Sequence, residues 1–550
     1  MTANKTDVLV IGAGPTGLTM ANLLTRSGVK VRILDKKAGP TQETRAIVVH
    51  AKILELLDRL DLTDKAFAEG EQLRSAQFFT QGRRTGKLTF LNGNGARRTP
   101  YPFGLIYGQD QTEHLLLQSL AETGVLVEWN TELLMLDQNP DGAWARVRVA
   151  DGSEETIEAL WIVGADGAHS PVRHALSLGF EGQTYLQTLF VADLDMEWEA
   201  GPRQGGMDMV RQGFFLFIPM HGEGHFRLFG SLPPEMANRD TITLDDVRHL
   251  VDTQSGLRVN ILKARWISIY RTHQRLAERF RVGRVFLVGD AAHIHSPAGG
   301  QGMNTGIGDA FNLAWKLALV VKGEAHDRLL DSYEAERIPF ARSILRGSDW
   351  GFQILDATRS DLRWFKLFVL PRLFRLISPL PIFQRRVFWL FSQLWTSYRN
   401  SPAVAEAESG KREPMAGDRA PYGFFEGGAD AGKSIFTKLR DQDHHLFLFE
   451  GKRSAQSQTD FPGLEEQVQT LLNEYHVPIH LHALSAENHS LHNLYRADTC
   501  TLFLVRPDGH IAYRGKAENL ASLRSYLDGL FSKSTNSIRD SATPQVASGS

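Results

Sequence analysis

Asp7-Val8-Leu9-Val10-Ile11-Gly12-Ala13-Gly14-Pro15-Thr16-Gly17 is the stretch that decides the fold. A short apolar run meeting a glycine reads as a buried parallel strand that ends in a tight turn. Thr16 to Ser27 then places Leu18, Ala21 and Leu24 at helical spacing, and Gly28 supplies the stop. Val29 to Leu34 is the next strand, with Asp35 at its end. The whole is a βαβ unit of about 30 residues. In such a unit Gly12 allows the turn, Gly14 lets backbone approach a pyrophosphate, and Gly17 lets the helix pack close to the strand. The helix N-terminus holds phosphates with free N–H groups and its dipole. Asp35 is placed to accept adenosine ribose hydroxyls, with Lys36 beside it as a further contact. The loop alone does not separate FAD from NAD.

A second constellation decides between them. Arg284-Val285-Phe286-Leu287-Val288-Gly289-Asp290 is a strand ending in an acid suited to the ribityl or pyrophosphate region. Pro297 to Asn304 follows as a glycine-rich loop that opens toward a helix read from Asp309 to Val321. A helix N-terminus beneath an isoalloxazine ring stabilises the negative charge of the reduced flavin, with Gly302, Met303 and Asn304 supplying N–H groups. Gly164-Ala165-Asp166-Gly167 lies between the two motifs. Together they indicate one flavin gripped by distant parts of the chain.

Composition narrows the rest. A chain of 550 residues gives a prior of two to four domains. A formal net charge of -2 gives no reason to expect a nucleic-acid partner. Cys500 is the single cysteine, which excludes a disulfide framework and a multi-cysteine metal site and fits a reducing cytoplasm. No metal site is expected. The first strand starts by Asp7 and leaves no room for a signal peptide.

No segment offers about 20 apolar residues without charge, so no spanning helix is expected. Phe365 to Trp395 comes closest, interrupted by Arg372, Arg375, Arg385, Arg386 and three prolines. It reads more readily as helices packed on the body or in a homodimer interface than as a membrane-surface segment.

The expected architecture is α/β. A Rossmann-like FAD-binding domain spans 1–182, and part of the substrate domain lies within about 75–105. A substrate-binding mixed sheet covers 183–275, with strands at Phe214 to Ile218 and His225 to Phe229. Residues 276–405 return to the FAD-binding domain and its helices. Arg399 through Gly410 reads as a linker. A third unit covers 412–531, with apolar runs at His445 to Phe449, Val477 to Leu484 and Thr501 to Val505 and a helix from about Glu518 to Leu530. Residues 532–550 are rich in Ser, Thr and Ala and read as a disordered tail.

These motifs resemble the single-component flavoprotein aromatic monooxygenases of the para-hydroxybenzoate hydroxylase fold. The match rests on the Gly12 loop, on Gly164-Ala165-Asp166-Gly167-Ala168-His169-Ser170-Pro171-Val172-Arg173, and on Gly289 through Asn304. Thr44-Arg45-Ala46 and Tyr333-Glu334-Ala335-Glu336-Arg337 are further similar runs. Tyr101-Pro102-Phe103, Tyr107-Gly108-Gln109 and Leu504-Val505-Arg506-Pro507-Asp508-Gly509-His510 resemble the pentachlorophenol monooxygenase and phenol hydroxylase branch. In that branch the third unit is thioredoxin-like without redox cysteines.

The resemblance implies hydroxylation of a phenolic or other aromatic substrate with FAD, NADPH or NADH, and O2, through a flavin C4a-hydroperoxide. Hydroxylation, epoxidation or Baeyer–Villiger insertion on a polycyclic polyketide or antibiotic is the alternative. It further implies FAD contacts from Arg45, Gln109, Asp166 and Asp290, and a place for Pro297 at the flavin–substrate junction. Some relatives carry an acid after the Arg-Ala pair to deprotonate the phenol, whereas this chain reads Ile47-Val48-Val49-His50. His50 is then either a base or a packed or cofactor-contacting histidine. Tyr270 and Arg271 are candidates to face the pocket.

Overall fold

The computed structural model describes residues 4–41, 44, 46–89, 98–198, 204–295, 299–355, 360–408, 413–452 and 460–534. The chain divides into two compact units. The first comprises Met1–Arg26, Lys30–Phe311 and Arg337–Trp395, and the second Ser27–Val29, Asn312–Glu336 and Thr396–Ser550.

In the first unit the strand Lys5–Ile11 lies between Val31–Leu34 and Glu154–Gly164, parallel to both. Val285–Leu287 adds to the far side of Glu154–Gly164, also in parallel. Val8, Leu9, Val10, Ile162, Val163, Val285, Phe286 and Leu287 are fully shielded, as expected of strands covered on both faces. The helix Pro15–Arg26 follows the glycine turn. The first half of Glu154–Gly164 also pairs antiparallel with Gly142–Arg148.

A second sheet of eight strands is built around two long ones, Phe180–Trp198 and Val259–Ala277. His225–Ser231, Gly213–Pro219 and Gly205–Val210 follow in order, and Ser75–Thr80 and Arg83–Thr89 complete the far edge. Side chains alternate between faces with period two. Phe190, Phe215, Phe217, Phe226 and Leu228 face a helix, Leu244–Gln254, and form one core with its Val247, Leu250 and Val251. Leu189, Phe214, Leu216 and Tyr270 form a separate cluster on the opposite face. The aromatics of this sheet are therefore divided, with most of them holding the fold and few left for a ligand. At its other edge Val259–Ala277 pairs with His293–Ile294, which carries the sheet to the second glycine motif.

That motif opens a helix, Gly302–Val321, seven residues earlier than the sequence suggests. Glycines at 302, 306 and 308 have low helix propensity. The reason for one of them is close approach, because a Cβ on Gly306 would lie 2.3 Å from Thr16 Oγ1.

The second unit holds a five-stranded sheet in the order Ala405–Glu406, Ile511–Lys516, Thr501–Val505, His444–Phe449, Ile479–Leu484. The last two strands are parallel, Thr501–Val505 runs antiparallel to both of its neighbours, and Ala405–Glu406 is parallel to Ile511–Lys516. Ala405–Glu406 corrects the reading of 399–410 as a linker, since backbone pairing to Tyr513 and Arg514 needs no apolar pattern. Within the expected tail Lys533 still bridges Tyr475, and 535–550 lie outside the described residues. The run Leu504 to His510 delivers a fully buried ion network. Arg506 binds Glu336 (2.7 Å), and Lys316 binds the other oxygen of Glu336 (2.9 Å). Burial alone would raise the Glu336 carboxyl, but Arg506 and Lys316 hold it down at about 2.

Candidate active site

The first glycine loop is set by contact distances. Gly12 has φ +106°, and a Cβ there would lie 2.3 Å from the Ala165 carbonyl oxygen. A Cβ on Gly17 would lie 1.9 Å from the Gly12 oxygen, so the helix can sit this close only without a side chain. Gly14 differs, with no atom within 4 Å of its Cβ position. Its lack of a side chain serves no neighbour within the protein, and leaves a cradle for an outside group. Asp35 is buried and accepts from Ala13 N and Lys37 N, each at 2.8 Å. Each carboxylate oxygen keeps a lone pair for a ribose hydroxyl. Lys36 is exposed beside it.

Asp166 stands between the strand Glu154–Gly164 and the short helix Pro171–Ala175. Its Oδ2 accepts from Val172 N (2.9 Å), while its buried Oδ1 has no hydrogen-bond partner. Burial pushes its pKa up. An orphaned carboxylate oxygen at this place fits a hydroxyl-rich ligand. Arg173, which the sequence offered only as part of a motif, joins the motifs by donating to the carbonyls of Ala168 and Ala291, both at 2.9 Å.

Beneath the second motif lies a charge cluster that sequence reasoning missed. Gly289 has φ +60° and donates its N–H to Asp309 (3.0 Å). The same carboxylate receives His293 Nε2 at 2.7 Å and Arg337 Nε at 2.6 Å. Burial would raise the Asp309 pKa, but Arg337 and His293 hold it below the usual carboxylate range. Asp290 is exposed at the turn. Met303 and Asn304 lie in the first turn of the helix that begins at Gly302. The Asn304 side chain accepts from His50 N (2.8 Å) and donates to the carbonyls of Val48 and Gly300, both at 2.8 Å.

His50 is committed to the glycine loop. Its Nε2 faces the carbonyls of Gly299 (3.0 Å) and Gly300 (3.2 Å), so that nitrogen carries the proton and donates. Burial lowers its pKa to about 4, so it is neutral near pH 7. This geometry makes it a holder of the loop. Gln109 begins a helix, Gln109–Glu122, donates its side chain to Glu113 (3.0 Å), and donates its backbone N–H to Ala46 O (2.9 Å). Arg45 and Pro297 lie outside the described residues. Buried Arg227 grips Asp193 through two bonds of 2.6 Å and donates to the Thr44 carbonyl. Arg227 thereby ties Thr44 to the second sheet, a role carried by no local motif.

Tyr270 lies on the sheet face that bears Leu189, Phe214 and Leu216, and its buried hydroxyl has no partner. Burial pushes its pKa up, which keeps the hydroxyl protonated. Thr272, two residues along on the same face, also has an unpartnered buried hydroxyl. Arg271 is exposed. Among the described residues, one group brings metal-ligand atoms within 4.8 Å of one another: Asp441, Asp443 and His480 in the second unit.

The profile of the FAD binding domain family matches residues 5–348, the span that carries all three flavin motifs. The chain belongs to the FAD binding domain family. The 6-methylpretetramide 4-monooxygenase of Streptomyces rimosus is 32% identical over 537 residues, covering 96% of this chain and 94% of that one. The pentachlorophenol 4-monooxygenase of Sphingobium chlorophenolicum is 34% identical over 353 residues, 62% of this chain and 63% of its own length. Among solved structures, a ternary complex of aklavinone-11 hydroxylase with FAD and aklavinone superposes with a TM-score of 0.76 at 25% identity, covering 96% of this chain and 99% of that one. As a member of this family the chain is a flavin-dependent monooxygenase, and its cofactor is FAD. The open cradle at Gly14 and the orphaned Asp166 oxygen are the features in the protein itself that fit that cofactor.

Proposed function

We propose that this protein hydroxylates a phenolic aromatic substrate using FAD, NADPH or NADH, and O2. The observation that carries the reading is the sheet face at Tyr270. It has an apolar floor of Leu189, Phe214 and Leu216 and two buried hydroxyls without partners, on a strand that leads directly to the second glycine motif. An apolar surface with a few unmatched polar groups suits a flat ring bearing oxygen substituents. Tyr270 donates a hydrogen bond to a substrate oxygen, and Thr272 binds a second polar group.

FAD, when bound, supplies the activation of O2 and the transfer of one oxygen atom. The chain supplies the rest. Gly12, Gly14, Gly17 and the N-terminus of Pro15–Arg26 seat the pyrophosphate, and Asp35 and Lys36 the adenosine ribose. Asp166, Gln109, Arg45 and Asp290 contact the remaining length. Gly302, Met303 and Asn304 present N–H groups to the electron-rich edge of the ring system, and Pro297 borders the substrate. Asn304 and His50 keep the 299–300 carbonyls in place.

Fused-ring polyketides are favoured over single-ring phenols, because the 6-methylpretetramide 4-monooxygenase matches 96% of the chain and the pentachlorophenol 4-monooxygenase 62%. The strand, helix and sheet order of the second unit supports reading it as thioredoxin-like, with Cys500 buried and no second cysteine for redox exchange. The use of a single cysteine in 550 residues also fits a cytoplasmic location.

The test is NADPH oxidation by the purified flavoprotein with phenols and polycyclic aromatics, under isotopically labelled O2. A compound that speeds oxidation and leaves with one labelled oxygen establishes the reaction. Its position separates hydroxylation from ring insertion. Failure of every aromatic to change the rate would refute the proposal.

A further inference from the structure

Residues 362–391 form two helices, Leu362–Ile377 and Pro381–Phe391, bent by 110° at a short break. Among the described residues, fifteen large hydrophobic side chains are exposed, and ten of these lie in this segment. Leu376 is 73% exposed, Ile382 72%, Trp364 60% and Leu390 59%. Solvent-exposed apolar groups scattered singly need no explanation, but a concentrated patch marks an interaction surface. The same segment carries Arg363, Arg372, Arg375, Arg385 and Arg386, and between 362 and 391 there is no Asp or Glu. In a chain whose net charge is -2, this is a strong local asymmetry.

The inner faces of the two helices are anchored. Phe374 packs on Phe78 of the second sheet, with ring centroids 4.7 Å apart. Phe388 is buried against Ala51, the residue after His50. Phe391 reaches the glycine loop, since a Cβ on Gly299 would lie 2.9 Å from its ring. Lys366 is buried and donates to Gly213 O (3.0 Å), so its charge is not part of the outer face. The outer face is left apolar and arginine-rich, and its supports border both the flavin loop and the substrate sheet.

We infer that this face seats the protein on an anionic lipid surface. No single described helix is long and apolar enough to span a bilayer, and two short helices bent sharply apart lie flat more readily than they cross. Leucine, isoleucine and tryptophan enter the headgroup–acyl boundary while the arginines, on long flexible stems, reach lipid phosphates. A second copy of this chain is the poorer occupant. A two-fold contact places like patch against like, and this patch brings arginines together with no carboxylate to meet them. Lipid seating also gives a sparingly soluble aromatic substrate a route to the flavin site that avoids water.

The experiment is flotation of the full-length, FAD-loaded protein with vesicles of phosphatidylcholine alone or with phosphatidylglycerol added, at low and high salt. Binding is expected to the anionic vesicles and to weaken as salt rises, because surface charge is screened. The double substitution Leu376→Asp, Ile382→Asp is expected to reduce bound protein at least tenfold while FAD absorbance and activity on a water-soluble phenol are kept. Arg385→Gln, Arg386→Gln is a milder variant that leaves the apolar face intact, and it should remove the preference for anionic vesicles. Absence of binding at low salt overturns the inference. So does a concentration-dependent dimer in light scattering that the Leu376→Asp, Ile382→Asp variant dissolves, which would make a second copy the occupant.

Discussion

Replacing Gly14 and Gly17 by alanine separates a glycine needed by the ligand from one needed by the fold. At Gly17 the new methyl would sit 1.9 Å from the Gly12 carbonyl oxygen, and the other atoms nearest to it are the Gly12 carbonyl carbon and the short Ala165 side chain. The helix must shift, at a cost of about 3 kcal/mol, the upper range for overpacking. At Gly14 the methyl meets nothing within 4 Å and the backbone φ is not in the left-handed region. The apoprotein should therefore keep its stability to within about 0.5 kcal/mol. If a pyrophosphate lies against Gly14, the methyl clashes with it instead, and a clash of about 1–3 kcal/mol weakens FAD binding roughly 5- to 150-fold. The assay is urea unfolding of FAD-stripped protein alongside FAD titration by fluorescence quenching. Gly14→Ala with wild-type FAD affinity would refute the placement of the pyrophosphate. Gly14→Ala apoprotein as unstable as Gly17→Ala would refute the argument from space.

Asp309→Asn leaves Arg337 buried without its carboxylate, and should cost about 3–5 kcal/mol and release FAD, as read by unfolding midpoint and by flavin in the filtrate. An unchanged midpoint would show that the cluster does not hold the second motif. Tyr270→Phe removes a hydroxyl that has no partner, so stability should hold or rise by about 1 kcal/mol. With a phenolic substrate kcat/KM should fall about tenfold and hydrogen peroxide release should rise; unaltered coupling would remove Tyr270 from the site. His50 is neutral in the folded protein with its pKa lowered to about 4, whereas the unfolded chain takes up the proton near 6.5. Its contribution is fully present above pH 6.5 and is lost as pH falls toward 4, by about 3 kcal/mol at most. The pH slope of stability in that window should flatten in His50→Gln; the same slope in both proteins would mean that His50 is not the group responsible.

The parts of this molecule legible in the sequence are those in which a backbone conformation or close approach demands one residue type. Gly12, Gly17 and Gly289 stand out because no side chain fits. Strands such as Lys5–Ile11 and Val285–Leu287 stand out because both faces are covered. Asp309 and Arg337 did not, because each lies inside a helix where a polar residue is ordinarily a solvated one, and their contact spans 28 residues. Arg227 was hidden for a similar reason, alternating with Phe226 and Leu228 as a surface residue of a strand would, while its partners Asp193 and Thr44 are far off in sequence. The phenylalanines of the second sheet are no guide to the ligand, since alternation assigns Phe215, Phe217 and Phe226 to the hidden face. The helix from Gly302 was read late because glycine argues against helix, and only Thr16 explains why one of those glycines must be there.

The place of Val285–Leu287 in the first sheet has a consequence for how the protein is made. This strand completes the side of the sheet next to Glu154–Gly164, yet the whole of the second sheet between Phe180 and Ala277 precedes it in the chain. A ribosome adding about 5–20 residues per second needs roughly 15–60 s to reach it. Until then the nascent chain has the first glycine loop but neither Asp309 nor the helix at Gly302, and the cofactor has half a cradle. Chain order therefore allows most of the inserted sheet to form while its host is still unfinished, and makes cofactor capture a late event in biogenesis. A shortage of FAD would be felt by chains already mostly built, which makes the closing step the one most exposed to proteolysis.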